Sequence, residues 1–274
     1  MVIHMEYILL NNNVNMPLLG FGTYNSNAEI DVLNALKVGY RLIDTAQWYN
    51  NEREVGNAIK KSNIPREEIF ITSKTITNGY NETIEGINKS LKRLQTDYID
   101  LMIIHWPQGN DIETYKALEK CYKEGKLKAI GLSNFNEQEC LEIINNCEII
   151  PAVNQIETHI YWQQKRMHKF LKKYNIYHEA YSPFGEGFNN IFKDQTITNI
   201  AKKHNKTNAQ VMLKFLTQED IIVIPKSSKI ERMKENIDIF DFKLTEEEIE
   251  VIRKLDIKKS CSNWPSSMNI EKEY

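Results

Sequence analysis

Short apolar runs alternate with longer amphipathic ones along almost all of this 274-residue chain, and that alternation restricts the fold more than any other feature. Strand-like runs read at Leu42 to Asp44, Ile69 to Ser73, Ile99 to His105, Lys128 to Leu132, Ala152 to Ile156, Ile176 to Tyr181 and Ile221 to Ile224, with a weaker one around Leu18 to Gly22. Strands separated by helices are parallel neighbours, because the crossover returns the chain to the same end of the sheet. Eight of them predict an α/β protein with the (β/α)8 TIM barrel architecture. In LLNNNVNMPLL, asparagines between two apolar runs predict a β-hairpin capping the barrel floor. The competing doubly wound sheet would carry G-x-G-x-x-G after a strand, and no such segment occurs.

The helical segments carry their own signals. Ile84, Ile87, Leu91 and Leu94 recur at helical spacing opposite Glu85, Lys89 and Arg93, a stripe suited to covering the barrel from outside. Near the end, Thr245 and Glu248 form a capping box, and Leu244 and Ile249 a hydrophobic staple, so a helix starts there.

Length and charge fit one domain over residues 1–274. With 35 basic and 37 acidic residues the net charge is −2, so no global field favours nucleic acid or an anionic membrane. Runs such as LMII and IIVI are too short for a bilayer, and MVIHMEYILL has neither a basic leader nor a long apolar core. A cytoplasmic location is expected, with no membrane partner. Cys121, Cys140, Cys147 and Cys261 form no C-x-x-C pair and read as free thiols in a reducing compartment. Abundant Asn, Lys and Ile read as compositional bias, since the apolar periodicity survives them.

The polar residues closing the apolar runs carry the chemistry. GYRLIDTAQWYNNEREVG, IFITSK and YIDLMIIHWP place Asp44, Tyr49, Lys74 and His105 where strands end, the face on which barrel enzymes react. Taken singly, Asp44 could cap a helix, Lys74 solvate a strand end, Tyr49 pack, and His105 be a satisfied core histidine. Together, in D-T-A-x-x-Y-x-N-E-x-x-V-G, T-S-K and H-W-P, they resemble the catalytic tetrad of the aldo-keto reductases, a family of nicotinamide-dependent carbonyl reductases, and the likeness spans nearly the whole chain. Reduction of a carbonyl by hydride leaves negative charge on oxygen, which needs a proton donor. Tyr49 suits that role if Lys74 eases its ionisation, Asp44 supports Lys74, and His105 orients the substrate oxygen. A metal centre is the other use for His and Asp, but His4, His159, His168, His178 and His204 show no H-x-H or H-E-x-x-H spacing.

The resemblance also implies a cofactor site. Ile224-Pro225-Lys226-Ser227-Ser228, followed by Arg232, Glu235 and Asn236, resembles the segment that holds the adenosine end of NADPH. Lys226, Ser227 and Arg232 would bind its 2′-phosphate, and Glu235 and Asn236 its adenine; two cations answer a phosphate better than a hydroxyl, so NADPH is expected over NADH. Ser133 and Asn134 in GLSNF, with Gln155 in NQIE, would hold the nicotinamide carboxamide, and Tyr181 and Ser182 in YSP would flank its ring. Tyr24, Trp48 and Trp106, with Trp264 from the tail, would line an apolar substrate pocket. Departures from the family pattern are Leu132 for the commoner Val, Ile160 where Pro is frequent, His178 at a usually apolar position, a short loop from Pro107 to Asn110, and an unfamiliar tail after Ser260. A monomer acting on a small carbonyl compound is expected. The rival from another class is a non-catalytic binding or structural subunit on the same scaffold, and a metal-dependent barrel hydrolase is a third reading.

Overall fold

A computed structural model describes residues 5–262. The chain opens with an antiparallel hairpin, β1 (Tyr7–Leu9) and β2 (Asn15–Pro17), paired through Ile8 and Met16. Eight parallel strands follow: β3 (Phe21–Gly22), β4 (Leu42–Asp44), β5 (Phe70–Thr75), β6 (Ile99–Ile104), β7 (Leu127–Ser133), β8 (Val153–Glu157), β9 (Tyr177–Tyr181) and β10 (Ile222–Val223). They pair in sequence order from β3 to β10, and a parallel bridge between Leu19 and Val223 brings the last strand back to the first.

The helices between them are α1 (Ala28–Val38), α2 (Glu52–Ser62), α3 (Tyr80–Leu94), α4 (Asp111–Lys123), α5 (Glu137–Asn146), α6 (Lys165–Lys173), α7 (Gln195–His204), α8 (Asn208–Gln218), α9 (Ile230–Ile237) and α10 (Glu246–Arg253). The expected stripe on α3 faces inward through buried Ile87 and Leu94, with Ile84 and Leu91 packed beside them. Thr245 caps α10 in a complete capping box with Glu248, and Leu244 and Ile249 are buried in the same core. Among the described residues no helix is long and apolar enough to cross a membrane.

Strand parity sorts the interior into an apolar floor and a polar mouth. Successive residues of a strand face opposite sides. Ile43, Ile71, Met102, Ile104, Ile130 and Leu132 point outward into the larger core beneath the helices. Leu42, Phe70, Leu101, Ile103, Ala129, Val153 and Ile222 form a second core with Leu10, Met16 and Leu18 of the hairpin segment. The hairpin loop is fastened to the N-terminal ends of the barrel: Asn11 donates to the carbonyls of Pro151 and Asn175, and Asn12 to that of Lys128. The expected floor hairpin is therefore present.

Two readings are refined. β3 is shorter than Leu18 to Gly22, because the chain first pairs with β10: Gly20 N–H donates to the Val223 carbonyl and Val223 N–H to that of Leu18. Asparagine abundance also has a structural use beyond bias. Among the described residues, nine of the fifteen non-glycine positions with positive φ are asparagines, including Asn63 and Asn205 at the ends of α2 and α7. Asn tolerates the left-handed region better than other residues with a Cβ.

Close approach at the seam explains Gly22. A Cβ there would lie 2.9 Å from the Ile224 carbonyl oxygen, and its N–H already donates to Pro225 at 3.2 Å. Gly22→Ala is expected to push β3 from β10 and cost about 1–3 kcal/mol, read as a lower urea midpoint with unchanged slope; an unchanged midpoint would contradict the tight seam.

Candidate active site

Asp44 ends β4, and the chain turns through a short 3-10 segment, Gln47–Tyr49, that delivers the Tyr49 phenol over the barrel mouth. That segment is tied down. Gln47 donates to Ser90 on α3 and accepts from Thr75 and from the Ile76 N–H, so the turn is fixed to the end of β5. Thr45 donates to Asn51 at 2.6 Å, and Asn51 donates to the Thr23 carbonyl.

Lys74 points inward from β5, and its ammonium has three partners: Asp44 Oδ1 at 2.5 Å, the Thr45 carbonyl at 3.1 Å and the Tyr49 hydroxyl at 3.2 Å. Lys74 and Asp44 are each only 1% exposed, so each ion needs the other. Burial alone would discharge Lys74, but the charge of Asp44 and the bonds to Asp44 and Tyr49 outweigh it, and the ammonium persists. Burial pushes the Tyr49 phenol up to about 12; Lys74 pulls against that rise and Asp44 adds to it.

His105 follows β6 with its ring 5.7 Å from that of Tyr49, nearly perpendicular. Burial, reinforced by the Lys74 charge, holds it well below the usual histidine range, so the imidazole is neutral at pH 7. Its Nδ1 is buried with no hydrogen-bond partner among the described residues. The four residues expected at strand ends thus converge, with Tyr49 and His105 on one cleft of about 730 Å³.

Beside them runs a hydrogen-bonded belt. Ser133 donates to the Gln155 carbonyl, Asn134 donates to the His105 carbonyl and to Ser133, and Tyr181 donates to Asn134 Oδ1 at 2.9 Å. Gln155 gives both hydrogens of its amide to carboxylates, Asp44 at 2.9 Å and Glu179 at 3.0 Å, leaving only its oxygen for a ligand. Ser182 takes a positive φ of 47° at the cleft wall and donates to Glu186.

The lip is aromatic. Tyr24 and Trp48 stack with ring centres 5.8 Å apart and planes 9° from parallel, and they remain 48% and 39% exposed. Trp106 stands edge-on to Trp48, with ring centres 5.9 Å apart, and tilted against the His105 ring at 4.4 Å. Trp264 lies outside the described residues.

A second cleft, of about 550 Å³, adjoins the first and shares Phe184 and Lys226 with it. Lys226, Ser227, Arg232, Glu235 and Asn236 all line it, with Arg232 to Asn236 on α9. Lys226 and Arg232 are exposed, and among the described residues neither forms an ion pair. Glu235 accepts from Thr207 at 2.7 Å, which fixes one wall.

Sequence reasoning missed three features. Glu179 is a buried acid inside the barrel, visible in hindsight as a charge at inward parity in Tyr177-His178-Glu179-Ala180-Tyr181. Thr207 and Asn208 line the second cleft from α8 and the residue before it. The third is a tether at Glu157, whose carboxylate accepts from His159, Ser260, the Cys261 N–H and the Ser262 N–H, drawing the tail to the cleft rim. Ligand-type atoms of Glu157, His159 and Cys261 lie within 4.8 Å of one another, but both Glu157 oxygens are already engaged by these donors. Of the departures, Ile160 is simply buried core, and His178 is satisfied by Thr158 and His168.

Residues 19–257 match the model of the aldo/keto reductase family. The chain is 46% identical over 259 residues to the glyoxal reductase of Bacillus subtilis (strain 168), covering 92% of this chain and 93% of that one. It is 42% identical over 268 residues to the 9,11-endoperoxide prostaglandin H2 reductase of Trypanosoma cruzi (strain CL Brener), covering 95% of each. An aldo-keto reductase from a Medee basin deep-sea metagenome library superposes with a TM-score of 0.91 at 46% identity, over 95% of this chain and all of that one. The Bombyx mori aldo-keto reductase, solved in complex with NADP, does so at 0.90 with 30% identity over 96% of each chain. The chain belongs to the aldo/keto reductase family and is an oxidoreductase that reduces carbonyl compounds.

The tether makes a pH prediction. Burial would raise the Glu157 carboxyl, but the bonds from His159, Ser260, Ser262 and Cys261 overcome it and hold it down at about 2. A folded value below the ordinary 4.5 adds stability that is complete above about pH 4.5 and is lost as pH falls towards about 2. The urea midpoint of the wild type should therefore drop between about pH 5 and 3 by more than that of Glu157→Gln; parallel drops would contradict the tether.

Proposed function

We propose that this protein reduces small aldehydes and ketones with NADPH, with Tyr49 as proton donor and Asp44, Lys74 and His105 as its supporting groups. The observation that carries this is the Tyr49 hydroxyl held 3.2 Å from a buried, carboxylate-paired ammonium beside a neutral imidazole. The residues fit a dinucleotide: two adjoining clefts share Lys226, one ending at the tetrad and the other at Lys226 and Arg232, cations that have no carboxylate partner among the described residues. Bound nicotinamide supplies the hydride.

The chain's own residues do the rest. The neutral His105 imidazole offers an N–H to the substrate oxygen and orients it towards Tyr49. As charge develops on that oxygen, the proton of the Tyr49 hydroxyl is transferred to it, and Lys74 stabilises the phenolate left behind. Asp44 keeps Lys74 charged in a site without bulk water. Ser133, Asn134 and the Gln155 oxygen offer polar groups for a carboxamide, and the Tyr181 ring a stacking face. Lys226, Ser227 and Arg232 form the phosphate clamp, Glu235 and Asn236 the adenine wall. Tyr24, Trp48 and Trp106 give the substrate an apolar lip, with Trp106 packed against Trp48 and His105. Small dicarbonyl aldehydes are the class to test first, as several similar proteins are named for glyoxal or methylglyoxal.

This reading has one barrel domain working as a cytoplasmic monomer, without nucleic-acid or membrane partners; the net charge of −2 gives no field that would draw either polyanion. A non-catalytic binding subunit is disfavoured, since such a role gives no reason to bury a charged lysine against a phenol.

Two variants test the reading. Tyr49→Phe is expected to cut turnover by about 10²- to 10⁴-fold with NADPH affinity nearly intact, measured as loss of reduced-nicotinamide absorbance and by fluorescence titration; wild-type turnover would end the assignment. Arg232→Ala is expected to weaken NADPH about 10- to 100-fold and leave NADH nearly unchanged. Equal losses for both cofactors would remove the phosphate clamp.

A further inference from the structure

Outside the barrel wall, behind the tetrad, lies a buried ion pair that the mechanism above does not use. Glu52 opens α2, three residues after Tyr49, and is only 1% exposed. Its Oε1 accepts from Ser73 at 2.5 Å. Its Oε2 faces the Arg93 guanidinium of α3, 2.7 Å from Nε and 2.6 Å from Nη2. A carboxylate this deep needs its cation, since an unpaired charge there is costly.

Two routes lead from the pair to the tetrad. The short one is Ser73, which faces outward beneath the helices on β5 while Lys74, the next residue, faces the mouth. The other runs through α3: Arg93 Nη2 donates to Ser90 Oγ at 3.1 Å, and Gln47 Nε2 donates to the same oxygen at 3.0 Å. Gln47 Oε1 in turn accepts from the Ile76 N–H at 3.2 Å and the Thr75 hydroxyl at 3.3 Å, just past Lys74 on the same strand end. Gly86 leaves room for this amide against α3, since a Cβ there would lie 3.2 Å from Gln47 Nε2. The strand that carries the ammonium and the turn that carries the phenol are thereby fastened to one ion pair.

We infer that Glu52 and Arg93 are positioning residues for the proton donor, acting through Ser73, Ser90 and Gln47 to set the contact between Tyr49 and Lys74. The inference rests on Tyr49 being the donor. A three-residue 3-10 turn does not keep its shape unaided. Thr45 and Asn51 hold the ends of the connection, and Gln47 grips the turn itself. The Tyr49 hydroxyl stands 3.2 Å from the ammonium, so little drift is needed to part them.

The test separates positioning from plain stabilisation. Gln47→Leu cuts the link to the turn and leaves the ion pair whole. Its turnover is expected to fall about 10-fold, since a displacement of about 1 Å can cost up to about 10²-fold, while KM and NADPH affinity by fluorescence stay within about twofold. Gln47→Glu, whose carboxylate still accepts from Ile76 and Thr75, is expected to recover most of the loss. Arg93→Gln should lower turnover to a similar degree, and the double variant no further than either single, because both break one chain of bonds. In cofactor-free protein labelled with fluorotyrosine, the fluorine resonance that Tyr49→Phe removes should shift or broaden in Gln47→Leu.

A network that only stabilises the fold would lower the urea midpoint of Gln47→Leu and leave its turnover and that resonance at wild-type values, which would overturn the inference. Additive losses from Gln47→Leu and Arg93→Gln would do the same. Should Arg93→Gln fail to fold, the two Gln47 variants and the resonance still decide. Wild-type turnover by Gln47→Leu beside an inactive Tyr49→Phe overturns this inference alone; full turnover by Tyr49→Phe overturns the donor reading and this inference with it.

Discussion

Burying an ammonium group inside a parallel barrel is the constraint around which the site is arranged. An ion the size of Lys74's costs several kcal/mol to remove from water unless it is paired with good geometry. Its carboxylate comes from the adjacent strand: β4 and β5 are paired with Asp44 opposite Thr72, which brings Lys74, two residues on, within 2.5 Å of Asp44. The same ammonium reaches Tyr49, and the Gln47 anchor holds that tyrosine in place. The hairpin floor completes the arrangement by sealing the far end, so the interior is apolar below and polar only at the mouth.

Two glutamates show how position decides chemistry in this barrel. Glu157 and Glu179 lie on neighbouring strands with the same inward parity. Glu157 receives four donors and is held ionised down to about pH 2; Glu179 receives one and is raised to about 8. One ties the tail to the cleft, and the other lies buried beside Gln155 with one oxygen unpartnered among the described residues. His105 follows the same logic in reverse, since burial beside a cation keeps it neutral.

Much of this was legible in the chain. Short apolar runs closing on Asp44, Lys74 and His105 located the strands to within a residue or two, because a strand buried on both faces reads as a continuous apolar run. The capping box at Thr245 and the stripe on α3 were equally local, and the words closing three strands pointed to Asp44, Tyr49, Lys74 and His105, which the fold brings together. The Glu157 tether was not legible, since it joins residues more than a hundred positions apart through backbone N–H groups. Nor was the environment of Glu179: its parity pointed inward, but its lack of a counter-ion depends on where Lys74 spends its three hydrogens.

The central claim is that Tyr49 acts only with a paired ammonium beneath it. The most direct test is single-turnover hydride transfer in Lys74→Met, where the methionine stem retains the packing and the charge is gone. The account predicts a fall of about 10²-fold or more in that step, with NADPH affinity by fluorescence little changed. Hydride transfer at the wild-type rate in the folded variant would contradict it.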